Sequence, residues 1–74
     1  MEHDYKDTTV VKVDFDKGFF NVVAEQIDGD SVVLLSTRSW AEVKKILAVA
    51  RDENDVPVRA TPRAMNAVKK LMVP

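Results

Sequence analysis

The chain has 74 residues, one histidine, no cysteine and a formal net charge of −1. That length holds one domain whose folding hides only roughly 60–65% of the surface of its unfolded chain. Without cysteine there is no disulfide, thiolate nucleophile or cysteine-based zinc site.

The hydrophobic fraction of 46% is ordinary for a globular protein. No apolar run approaches membrane-spanning length, and no secretory leader pattern is visible. A cytoplasmic protein with no membrane partner is the expectation. Charge is unevenly spread. Residues 1–30 carry net −5 and residues 31–74 net +4. From Val56 onward there are four bases (Arg59, Arg63, Lys69, Lys70) and no acid.

Residues 1–7 are polar and aperiodic, and read as a frayed terminus. His3, between Glu2 and Asp4, belongs to it. Residues 8–74 read as a single domain. Three runs rich in Val, Leu, Thr and Phe follow: Thr9–Asp16, Phe19–Ile27 and Ser31–Thr37. Glycine-bearing triplets separate them, Asp16-Lys17-Gly18 and Asp28-Gly29-Asp30. Glycine reaches positive φ without steric cost, so each triplet closes a tight hairpin.

Two-residue loops at Lys17-Gly18 and Asp28-Gly29 set the register. Phe15 then opposes Phe20, Val13 opposes Val22 and Val11 opposes Ala24. Across the second hairpin Val22 opposes Leu35, Ala24 opposes Val33 and Val23 opposes Leu34. One face of the sheet is then wholly apolar, because opposed residues share a face. A one-residue slip would put Lys12 against Val22. The other face is mixed. It carries Lys12, Asp14, Asn21, Glu25 and Ser36 beside Val10, Phe19, Val23, Ile27, Val32 and Leu34. That is more apolar than a solvated sheet face usually reads.

Ser39 to Glu42 has capping-box spacing and starts a helix. Trp40, Val43, Ile46, Leu47 and Ala50 fall on one stripe, which suits the apolar sheet face. The helix ends over Asp52–Asp55, with Asn54 as the candidate left-handed terminator. Val56–Ala60 alternates and reads as either a brief edge strand or an extended linker. Thr61-Pro62 opens a second helix, threonine as N-cap and proline at the first helical position. Its apolar side reads as Ala64, Met65, Val68, Leu71 and Met72, against Arg63, Asn66, Ala67 and Lys70. At about 11 residues it must dock to be stable. It has two places to go: beside the first helix, or over the mixed sheet face. The expected fold is α+β, a three-stranded antiparallel meander followed by two α-helices.

Catalytic chemistry is not written in the chain. Two glycines allow neither a P-loop nor a dinucleotide fingerprint. The acids at Asp14, Asp16, Asp28 and Asp30 lack calcium-loop spacing and suit turns. No catalytic residue, metal, cofactor or small-molecule substrate is expected. The leading expectation is a non-enzymatic protein-binding regulator, inhibitor or adaptor. It would use Phe19, Val23, Ile27, Val32 and Leu34 on the mixed face, which would also make a homodimer. The alternative is a nucleic-acid-binding regulator using Arg59, Arg63, Asn66, Lys69 and Lys70, since Arg and Asn suit guanine and adenine edges.

Overall fold

The computed structural model describes residues 4–72, without the side chain of Met72; His3 lies outside them. Strands β1 (Thr8–Asp16), β2 (Phe19–Gln26) and β3 (Ser31–Thr37) come first. Helix α1 (Trp40–Ala48) widens into a π turn over Val49–Glu53. Strand β4 (Val58–Ala60) and helix α2 (Pro62–Met72) complete the chain. The fold is α+β with the expected antiparallel meander, but the sheet has four strands in the order β3-β2-β1-β4.

The fourth strand is the edge-strand option for Val56–Ala60, and it runs parallel to β1. Val11 N–H donates to the Pro57 carbonyl and Thr61 N–H to the Val13 carbonyl, both at 2.9 Å. These bonds satisfy the free edge of β1, which a three-stranded sheet would leave bare. Pro57 has no N–H to lose and stands just before the strand, where an edge tolerates it.

The first hairpin has the expected register: Phe15, Val13 and Val11 oppose Phe20, Val22 and Ala24. Its turn places Lys17 at φ 53° and Gly18 at φ 84°, the paired positive values of a type I′ turn. The second hairpin departs from expectation. Gln26 N–H donates to the Asp30 carbonyl, so the loop is three residues, Ile27 to Gly29, rather than two. Strand β3 therefore starts one residue out of step, with Ala24 opposite Val32 and Val23 opposite Val33. A bulge at Leu34 absorbs the offset and restores Val22 opposite Leu35. Both leucines then pack against the core.

The core lies between the apolar sheet face and the two helices. Val11, Val13, Phe20, Val22 and Ala24 meet Val43 and Ala50, with Val56 and Ala64 closing the sides. The rings of Phe15, Phe20 and Trp40 pack in sequence at a tilt, with centroids 4.8 and 5.4 Å apart. The α1 stripe packs as expected. Ser39 caps it by accepting from Glu42 N–H at 3.4 Å. The reciprocal half of the box runs through Thr37. Its hydroxyl accepts from Ser39 N–H and donates to Glu42.

At the far end of α1 the left-handed residue is Asp55, φ 55°, not Asn54. Asn54 instead donates its side-chain amide to the Val49 carbonyl, and Val56 N–H donates to that of Ala50. Two helix-end carbonyls are thereby satisfied. Tyr5–Asp7, assigned above to the frayed terminus, forms a turn. Thr8 N–H donates to the Tyr5 carbonyl, Ile27 N–H donates to that of Asp7, and Tyr5 packs on the core.

Phe20 is only 1% exposed and Leu71 is 62% exposed. Phe20→Ala is expected to cost ~3–5 kcal/mol, whereas Leu71→Ala should stay within about 0.5 kcal/mol of the parent. Denaturant midpoints of the two variants check this; equal losses would mean the core is misplaced.

Candidate functional site: a cationic groove with an apolar floor

Helix α2 lies on the apolar sheet face beside α1, and its roll sets the site. Ala64 is buried, and Ala67 and Val68 pack against the core. The buried seam thus includes Ala67, assigned above to the outer side, and leaves Met65 half-exposed. Alanines let the helix axis approach the sheet closely. The outward turn of α2 then presents Arg63, Asn66 and Lys70 toward the β1–β2 hairpin.

The position of α2 is held by a clasp. Thr61 Oγ1 accepts from Ala64 N–H at 3.2 Å, as an N-cap does, and donates to Asp14 Oδ1 at 2.6 Å. Arg63 pairs with the other Asp14 oxygen and reaches Asp16 at 3.7 Å. Phe15 N–H also donates to Asp14. The Thr61 hydroxyl above all holds the Asp14 carboxyl below its ordinary value of 3.8; burial, next in size, opposes it, and Arg63 and the Phe15 amide add to the lowering.

Between the hairpin and α2 runs an open groove of about 510 Å³. Phe15, Phe20, Ala67 and Leu71 form an apolar floor. Arg38, Arg63, Asn66 and Lys70 frame it, and Gly18 marks its end at the hairpin turn. The three cations differ. Arg63 is engaged by two carboxylates. Arg38 lies 4.9 Å above the Phe19 ring, and no described carboxylate forms an ion pair with it or with Lys70. Both charges are available to an anionic partner. A second hollow of about 250 Å³ lies on the opposite flank of α2, bounded by Trp40, Ala60, Ala64, Met65, Val68 and Lys69. Beside it the Trp40 Nε1–H is buried without an acceptor.

The expected protein-interface set does not form one patch. The bulge turns Leu34 onto the core. Val32 pairs with buried Ala24, which places it on the core face at the sheet edge. Ile27 is 75% exposed, but in the turn at the far end. Only Phe19 and Val23 remain on the outer face, joined by Val33, which is 65% exposed. Polar pairs interrupt them: Lys12–Glu25 at 2.8 Å and Ser36–Asn21 at 2.8 Å.

The nucleic-acid set divides as well. Arg63, Asn66 and Lys70 converge on the groove. Lys69 borders the second hollow. Arg59 pairs with Lys12 across β1 and β4 and so stands on the outer face. What sequence reasoning missed are Arg38, Phe15 and Phe20, which reach the groove only because two distant segments meet there. Among the described residues no group of three or more His, Asp or Glu is placed to hold a metal ion. Among the described residues no helix is long and apolar enough to cross a membrane.

The clasp predicts a pH dependence. A folded-state value held below the unfolded one stabilises the fold fully above the ordinary carboxyl range, and this is lost as pH falls through the depressed value. Asp14→Asn should therefore melt below the parent at neutral pH. The gap should narrow as pH drops below 3.8. A constant gap across that range, read by thermal melts, would contradict the clasp.

Comparison of the chain with protein-family models, curated proteins and solved structures gives no match.

Proposed function

We propose that the chain is a small non-enzymatic binding protein, an adaptor or inhibitor. Its groove takes an acidic segment of another protein through an apolar anchor. The observation that supports this is the pairing of an apolar aromatic floor with two cations, Arg38 and Lys70, that form no ion pair with a described carboxylate. An aliphatic or aromatic side chain would cover Phe15 and Leu71, and flanking acids would meet the rim. Rim charges of this kind steer encounter and choose partners more than they add affinity. The groove's polar groups are cations, one amide and carboxylates held in ion pairs. No hydroxyl or thiol lines the groove, and the Thr61 hydroxyl that meets Asp14 is engaged in capping α2, so the arrangement suits recognition rather than catalysis.

The nucleic-acid reading has less behind it. Two of its five residues face away from the groove. The two carboxylates on Arg63 would repel phosphates there. Phe15 and Phe20 pack against each other at a tilt, and Phe20 is buried, so they present no open ring face for bases.

The test is an NMR titration with an acidic peptide bearing one Ile, Leu or Phe. Shifts are expected at Phe15, Asn66, Ala67 and Lys70, and added salt should weaken binding. Arg38→Glu with Lys70→Glu should weaken it about tenfold or more, ~1.4 kcal/mol, with melting unchanged. Tighter binding of a single-stranded oligonucleotide, with a steep salt slope, would replace this reading with the other.

A further inference from the structure

The two ends of the sheet are complementary to each other. The groove end carries an apolar floor with Arg38 and Lys70 free on its rim, and Lys17 at the hairpin turn beside it. The opposite end is the β2–β3 turn. There Ile27, 75% exposed, stands between Gln26 and Asp28. Asp28 and Asp30 follow it in the turn, joined by an amide–carboxylate bond at 3.0 Å. Asp7 is fixed alongside, because its carbonyl accepts from Ile27 N–H at 2.7 Å. One exposed apolar side chain with three acids on the adjoining turn residues is the shape of ligand that an apolar floor framed by cations takes. The only base described in the adjoining turn is Lys6.

A molecule cannot satisfy itself this way. Ile27 and Phe20 sit at opposite ends of β2, about 24 Å apart at ~3.4 Å per residue, and the paired strand holds them there. We infer that the groove receives the Ile27 turn of a second copy of this chain. The contact is head-to-tail: each copy uses a different surface, so the pair keeps one free turn on one copy and one free groove on the other. Such contacts generate rings or open chains rather than closed two-fold dimers. This inference rests on the groove being a protein-binding site, and it names the occupant.

The test uses two variants of the full chain, each disabling one end. Ile27→Asp alters only an exposed turn residue and leaves the groove intact. Arg38→Glu with Lys70→Glu reverses the rim and leaves the turn intact. Circular dichroism and thermal melts establish that both fold. In sedimentation velocity, wild type is expected to rise with concentration past the value for a dimer and to fall back with salt. Each variant alone should stay monomeric. Mixed in equal amounts they should form one pair, intact groove on intact turn, and go no further.

Three results would overturn the inference: a wild type that is monomeric throughout, a mixture that remains monomeric, or a variant that associates like wild type. A parallel NMR titration separates this from failure of the wider reading. It uses a peptide of residues 25–32 and an unrelated acidic peptide with one Leu. If only the unrelated peptide moves groove signals, self-association fails and protein binding stands. If neither does, both fall.

Discussion

The three-way contact among Asp14, Thr61 and Arg63 decides where the second helix lies. An 11-residue helix rich in lysine, arginine and alanine has little stability alone. Here its first turn is tied to β1 by a hydroxyl that caps the helix and donates to a strand carboxylate. The parallel pairing of β4 with β1 brings Thr61 to that place. Its N–H on the Val13 carbonyl continues the ladder directly into the cap. Strand, cap and ion pair act at one point, so α2 can roll little. That roll buries Ala64 and Ala67 and turns Lys70 and Asn66 over the phenylalanines. The groove follows from the clasp.

A second constraint is the mismatch between the β2–β3 turn and the core. Three loop residues start β3 one step early, yet Val22 and Leu35 must still meet over α1. The bulge at Leu34 reconciles the two. It removes one large apolar side chain from the outer face and interrupts the free edge of β3. A long, flat apolar edge invites pairing with other chains, and a bulge is one of the devices that limits it. The outer face that remains is laced with Lys12–Glu25 and Ser36–Asn21, and reads as a solvated surface.

The uneven charge of the chain takes a spatial form. Among the early acids, Asp7, Asp28 and Asp30 lie at the far turn with Ile27, Asp14 and Asp16 pair with Arg63 in the clasp, and Glu25 pairs with Lys12 on the outer face. Among the later bases, Arg38, Arg63 and Lys70 lie at the groove, Lys69 at the second hollow and Arg59 on the outer face, while Lys44, Lys45 and Arg51 are exposed on α1 and its π turn. The functional proposals depend on this division, because Arg63 is paired with carboxylates while Arg38 and Lys70 form no ion pair with a described one.

Local physics was legible in the residues. Glycine with a preceding residue of positive φ defines the first hairpin, and a clash-free register follows from Val13 and Val22. Ser39 and Thr61 mark their helices because a side-chain oxygen next to free amides needs no distant partner. The i, i+3, i+4 stripe from Trp40 to Ala50 marks the buried side of α1. Where two options had similar local energies, tertiary contacts chose. Asp28-Gly29 serves a two- or three-residue loop equally well, and only the need to bring Leu35 over Val22 places the bulge. The face that α2 buries could not be read from its residues, since alanine suits either side of a helix. The pairing with Asp14, 47 residues earlier in the chain, settled it. The amino-acid sequence by itself determined the hairpin, the helix starts and the core stripe, because those depend on neighbours within a few residues. The fourth strand, the bulge and the groove depend on contacts between distant segments, and only the tertiary structure decided them.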